Sequence, residues 1–82
     1  MATIFRVRGL RVVIFSNDHG PPHVHVIGPD GEAKIALEHQ GARATLVSSN
    51  GLSPALLAAA LTEIDRNQVL LAQRWRDIHG DP

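Results

Sequence analysis

No cysteine occurs among the 82 residues, so neither disulfides nor thiolate ligands hold this fold together. That absence suits a reducing compartment, and a cytoplasmic location is the expectation. A charge imbalance is missing too: eight Lys and Arg stand against eight Asp and Glu, a formal net charge of zero. Nothing in that balance draws the chain nonspecifically to nucleic acid or to an anionic membrane surface, so net charge does not support nucleic acid as a partner. Long apolar stretches are lacking as well. The run at Leu56–Leu61 is far below the roughly 18 residues that cross a bilayer, and no membrane partner is expected. The opening "MATIFRVRGL" has no apolar segment followed by a small-residue cleavage site, so no secretion signal is expected. With 44% hydrophobic and 20% charged residues, the composition is that of a soluble globular chain, and 82 residues suit one domain spanning 1–82.

What is present divides into two halves of different period. The first reads as strands. "IFRV" (4–7) and "RVVIFS" (11–16) are β-branched and aromatic and are split at Gly9. "HVHVIG" (23–28) alternates, as does "EAKIALE" (32–38), which puts Ala33, Ile35 and Leu37 on one face. A weaker run, "RATLVS" (43–48), follows Gly41. "RVVIFS" is apolar on both faces, which predicts a place near the middle of the sheet. Arg6, Arg8 and Arg11 crowd the first strands without an acidic neighbour in sequence. A solvated edge that discourages strand pairing accounts for them, with phosphate contact as the alternative.

The second half reads as one helix. After the loop "SSNG", Ser53 is a good N-cap and Pro54 suits the first helical position. Neither proline nor glycine recurs before His79, and Gly80 with Pro82 behind it is the expected stop. Leu57, Leu61, Ile64, Leu71, Trp75 and Ile78 recur at spacings of three and four, with Gln68 as the polar gap. A helix over about 54–79 would be about 39 Å long, against about 20 Å for a six-residue strand. It therefore overhangs its sheet unless it bends near Asp65-Arg66-Asn67, where helix propensity is poorest. The expected fold is α+β: a small antiparallel sheet of three to four strands within 3–48, followed by one long C-terminal helix packed on one face. Val69 and Leu70 lie off the main stripe and offer a surface to a second chain.

The segment "SNDHGPPHVHV" (16–26) gathers three of the five histidines within seven residues. If Gly28-Pro29-Asp30-Gly31 closes a hairpin, Ile27 faces Glu32, Val26 faces Ala33, His25 faces Lys34, Val24 faces Ile35 and His23 faces Ala36. The valines then join the core, and His23 and His25 share the other face with Glu32, Lys34 and Glu38. Lys34 across from His25 favours an anion there over a metal ion. A divalent transition metal is the competing reading, with His19, His23 and His25 as ligands, His39 as a further candidate, and Asp18 orienting one imidazole. A third reading is catalytic, with His23 and His25 as general acid and base on a phosphodiester. Ser16, Ser48, Ser49 and Ser53 offer no activated nucleophile. The structural reading is a tight connection: Asn17 and Asp18 bond their own backbone, Gly20 takes unusual dihedrals and Pro21-Pro22 stiffens the strand entry. Trp75 reads as a distal core anchor. His79 reads as a cation favoured by the helix dipole, close enough to approach the His19 loop if the helix runs antiparallel to the central strand.

Taken in order, "RVVIFSNDHGPPHVHV", "AKIALE" and a helix ending "QRWRDIHG" resemble the domain-of-unknown-function 4160 family of small prokaryotic proteins. The resemblance runs from about Arg11 to Gly80, and its motif falls on Asp18, His19, Pro21, Pro22, His23, His25, Trp75, His79 and Gly80. It carries no established catalytic role. Genes of this family often lie beside another small uncharacterised family, which has suggested a toxin–antitoxin-like module. The resemblance therefore implies a small cytosolic interaction protein whose partner is encoded nearby, or a homo-oligomer formed through the C-terminal helix. In that case Asp18, His19, His23, His25, Lys34 and His79 bind a partner group or an anion. The rivals are a histidine-dependent nuclease or phosphoesterase, with or without a metal, and a metal-binding module without chemistry.

Overall fold

The computed structural model describes residues 2–38 and 42–80. His39, weighed above as a metal ligand, and Pro82, weighed as part of the helix stop, lie outside the described residues. Five antiparallel strands pair in chain order into one sheet: β1 (Ala2–Val7), β2 (Leu10–Ile14), β3 (His23–Ile27), β4 (Glu32–Ala36) and β5 (Thr45–Asn50). Two helices follow, α1 (Pro54–Arg66) and α2 (Gln68–His79). None is long and apolar enough to cross a membrane.

Hairpin chemistry sets the first half. Arg8 (φ 47°) and Gly9 (φ 80°) both take positive φ between Val7 and Leu10, the pattern of a two-residue type I′ turn. β1 is an edge strand, and its Arg6 stands opposite Arg11 of β2. Like charges facing each other oppose pairing. Arg6 and Arg8 are exposed, as a solvated edge requires. At the next turn the Gly28 amide donates to the Gly31 carbonyl at 2.9 Å. The β3–β4 register is the one the alternation predicted, from Ile27 opposite Glu32 to His23 opposite Ala36. β2 lies inside the sheet between β1 and β3, and its Val12, Val13 and Ile14 are fully buried.

The sheet is larger than the expected three to four strands, because the weak run after Gly41 forms a full edge strand. It begins two residues later than the run suggested and extends past its end at Ser48 to take in Ser49 and Asn50, which read as a loop. All six β5 residues are exposed, so no face of the strand carries an alternating apolar pattern. Its pairing with β4 also shifts register between Lys34 and Ile35.

The single long helix is likewise corrected to two, of 13 and 12 residues, about 20 and 18 Å long. Ser53 caps α1, its Oγ accepting from the Leu56 amide at 3.2 Å. The break falls at Asn67 (φ −110°, ψ 20°), where the bend was foreseen. There the Asn67 amide is shared between the Glu63 and Ile64 carbonyls, and its side-chain amide donates to the Glu63 carbonyl at 2.7 Å. A side chain satisfying its own helix in this way ends the regular ladder. Each helix alone is about as long as a six-residue strand.

Gln68, the polar gap in the stripe, opens α2 and ties it to the β4–β5 connection. Its Oε1 accepts from the Glu38 amide at 2.8 Å, and its Nε2 donates to the Ala42 carbonyl at 2.8 Å and to Asp65 Oδ1 at 3.1 Å. Asp65 Oδ1 also accepts from the Ala44 amide at 2.9 Å. The apolar residues of the two helices, Ala60, Ile64, Leu71 and Trp75, close over Leu10, Val12, Ile14, Val24, Val26, Ala33, Ile35 and Leu37 of the sheet half. This packing brings the C-terminal half of α2 against the loop that carries the histidines.

Candidate functional site

The site is built where β2 ends and β3 begins. After Ile14 the chain turns on Asp18. Its amide donates to the Phe15 carbonyl at 3.1 Å, and its Oδ2 accepts from the Phe15 amide at 3.2 Å. That closed turn holds the carboxylate over the start of β3. Gly20–Pro21 is a cis peptide bond. The Pro21 carbonyl accepts a hydrogen bond from Nδ1 of His23 at 2.9 Å, and the Pro22 carbonyl accepts from the Leu37 amide at 3.0 Å.

One carboxylate oxygen then faces both strand histidines. Asp18 Oδ2 lies 3.4 Å from His23 Nε2 and 3.4 Å from His25 Nε2. No two of the three candidate ligand atoms are more than 4.8 Å apart. His23 is buried, while His25 and Asp18 are partly buried. His25 Nε2 is itself inaccessible and has no hydrogen-bond partner among the described residues. Burial raises the Asp18 carboxyl, but the Phe15 amide and the neighbouring His23 and His25 outweigh it and hold Asp18 below its ordinary value of 3.8.

A row of rings extends from this cluster. Phe15 meets His25 edge-on with centroids 4.7 Å apart, His25 meets His23 at 5.1 Å, His23 meets Trp75 at 5.1 Å, and Trp75 meets His79 at 4.1 Å. Trp75 is therefore a core residue, 5% exposed, and also the link between the two ends of the site. A cleft of about 630 Å³ opens beside it, with Asp18, His19, Pro21, Pro22, Arg76 and His79 in its walls. Nε2 of His79 is buried there without a partner among the described residues.

The residues singled out from the sequence are distributed as follows. Asp18, His23 and His25 form one cluster. His19 is exposed on the cleft wall and outside that cluster, so the ligand trio the geometry assembles has Asp18 in the place foreseen for His19. His79 does reach the loop, through Trp75 and the shared cleft. Lys34 pairs with His25 in register, and the two line a second depression together with Phe15 and Glu32. The charge that meets His25 Nε2 is thus a carboxylate, where alternation alone offered a cation. Sequence reasoning placed Asp18 among the binding residues but gave it only an orienting role in the metal reading. The signal for a central one was an Asp three residues after the end of an apolar run, the position from which it can cap its own turn.

The family described as domain of unknown function (DUF4160) matches residues 9–76, and the chain belongs to it. That match takes in the whole Asp18–His25 segment and Trp75. No curated protein and no solved structure matches the chain.

Proposed function

We propose that this protein hydrolyses a phosphoester in the cytosol, with Asp18, His23 and His25 as the centre that activates the attacking water. The observation that carries the proposal is the Asp18 carboxylate oxygen held 3.4 Å from two imidazole nitrogens, with Asp18 itself in the wall of a cleft. The cleft supplies the rest. His19, Arg76 and His79 are groups that phosphate oxygens meet well, and Nε2 of His79 lacks a partner among the described residues. The described residues around it include no hydroxyl, thiol or amine side chain, so among them a covalent intermediate on a serine, cysteine or lysine has no source. In this reading water is the nucleophile. Its oxygen bonds to phosphorus, the bond from phosphorus to the leaving oxygen breaks, and the proton that the water gives up passes to that oxygen.

The test uses para-nitrophenyl phosphate and its diester, followed by short single-stranded RNA. Asp18→Asn and His25→Ala should each lower kcat/KM by about 10²-fold or more, with melting temperatures close to that of the parent. Hydrolysis that both variants retain, or no hydrolysis of any of the three substrates, would overturn the proposal.

A different observation favours a second reading. Val69 is 84% and Leu70 42% exposed on α2, and Leu46 and Val47 are exposed on the β5 edge. Such residues suit a protein partner. In this reading the chain is one half of a two-gene toxin–antitoxin-like pair, or a homo-oligomer through α2. Co-purification with the neighbouring gene product, weakened by Leu70→Glu, supports it. Association that Leu70→Glu leaves untouched removes that surface from consideration.

A further inference from the structure

Resting on the hydrolytic reading, we infer that the centre is built to hold one divalent transition metal ion, bound by Nε2 of His23, Nε2 of His25 and a carboxylate oxygen of Asp18. The hydrogen-bond pattern of His23 is the first argument. A carbonyl oxygen only accepts, so the 2.9 Å contact with Pro21 fixes the ring proton on Nδ1. In the neutral ring Nε2 is then a bare lone pair, and it faces Asp18 Oδ2, which is also an acceptor. Two acceptors aimed at each other call for a cation between them. The buried Nε2 of His25 has no hydrogen-bond partner among the described residues and faces the same oxygen.

The distances make the second argument. A charge-assisted N–H···O bond is about 2.7–2.9 Å long, and both contacts to Asp18 are 3.4 Å. Two ligands each about 2.1 Å from an ion, set at the tetrahedral angle, stand about 3.4 Å apart. Both histidine–aspartate separations therefore suit ligands of one ion better than partners in a hydrogen bond. The two imidazoles are the pair left to adjust, within the 4.8 Å limit on the whole trio.

The groups that would fix the ligands are already in place. The Pro21 carbonyl orients His23, and the Phe15 amide orients Asp18, the outer-shell roles that metal sites use to set ring tautomer and carboxylate angle. Two nitrogens and one oxygen suit zinc, cobalt, nickel, manganese or iron(II), whereas calcium and magnesium prefer oxygen alone. Three protein ligands leave a position for water. Asp18 lies on the wall of the cleft, which sets the centre beside the space proposed for the phosphoester.

Tag-free protein, stripped with chelator, is titrated with zinc by calorimetry and with cobalt by fluorescence. Trp75, the only tryptophan, lies 5.1 Å from the His23 ring, so cobalt in the centre should quench it. We expect one ion per chain, a raised melting temperature, and binding weakened at least about 100-fold by Asp18→Asn and by His25→Gln. His19→Ala should bind as the parent does. Melts of the metal-free variants establish that they fold, and Asp18→Asn, which keeps an acceptor for the Phe15 amide, carries the test if His25→Gln does not. No saturable binding of zinc, cobalt, nickel or manganese would overturn the inference, as would binding that neither variant weakens, or binding that depends on His19. Hydrolysis that survives chelation in a chain that binds no metal would overturn the metal centre and leave the hydrolytic reading standing. Saturable binding lost in the variants, with no hydrolysis of any phosphoester, would do the reverse.

Discussion

Gln68 interrupts a stripe that otherwise runs Leu57, Leu61, Ile64, Leu71, Trp75 and Ile78. By periodicity alone, leucine at position 68 repairs an amphipathic helix and stabilises it. The structure gives the opposite sign. Gln68 makes three hydrogen bonds, two of them to backbone on either side of the β4–β5 connection, at 2.8 Å each. A typical intramolecular hydrogen bond contributes about 0.5–1.5 kcal/mol net. Glu38 and Ala42 are exposed, so water replaces part of what is lost, and the three together amount to roughly 2–3 kcal/mol. A half-buried leucine returns about 1 kcal/mol. Gln68→Leu should therefore cost about 1–2 kcal/mol, a fall in melting temperature of roughly 5–15 °C in a domain of this size. Thermal and urea melts of Gln68→Leu, Gln68→Ala and Asp65→Ala measure it, with the Asp65→Ala/Gln68→Ala pair closing a double-mutant cycle. Asp65 Oδ1 serves both Ala44 and Gln68, so that pair should be non-additive. A Gln68→Leu chain as stable as the parent, or more so, would refute the clasp.

Other expectations follow from the loop and the cleft. Burial raises the Asp18 carboxyl, yet the Phe15 amide and two histidines keep it below 3.8. Its contribution to stability is therefore present above that value and is lost as pH falls through the depressed folded value. Stability measured from about pH 5 downward should fall less steeply in Asp18→Asn than in the parent, and equal slopes would remove Asp18 from the acid limb. A methyl at Gly31 would run into the Asn50 carbonyl and Gly51, backbone that cannot swing aside. Gly31→Ala should cost about 1–3 kcal/mol in a thermal melt, and a melting point within a degree of the parent would show that this contact is loose. His79→Phe keeps the ring on Trp75 and removes Nε2, which has no partner among the described residues. It should raise KM for a phosphoester several-fold with kcat and melting temperature little changed, and an unchanged KM would take His79 out of the binding site.

Much of the sheet was legible because its rules are local. Alternation in "HVHVIG" and "EAKIALE" admits one register that buries both apolar faces, and that register is present. The α1 cap at Ser53 was readable for the same reason, and so was Asp65-Arg66-Asn67 as a place for a bend, though one continuous helix was expected where Asn67 ends the first of two. β5 was not, because an edge strand exposed on both faces has no periodicity to read. Gln68 looked like a flaw in the stripe because its partners, Glu38 and Ala42, are 30 and 26 residues away.

The histidine segment was legible as a segment and illegible as a site. Strand alternation put His23 and His25 on a common face, but it carries no information about a carboxylate that returns from five residues upstream. That depends on Asp18 closing its turn on Phe15. The structural and functional readings of "NDHGPP" were weighed as competitors, and the geometry shows why they need not compete. The Asp18 oxygen that accepts from the Phe15 amide is the one that faces both imidazoles. The Pro21 carbonyl belongs to the loop backbone and also sets the tautomer of His23. A turn that reuses its own bonding groups in this way makes loop geometry and site geometry one constraint. Alanine at Asp18 would therefore loosen the turn and disarm the cluster together. Asparagine separates the two effects, because it retains an acceptor for Phe15 and gives up the charge.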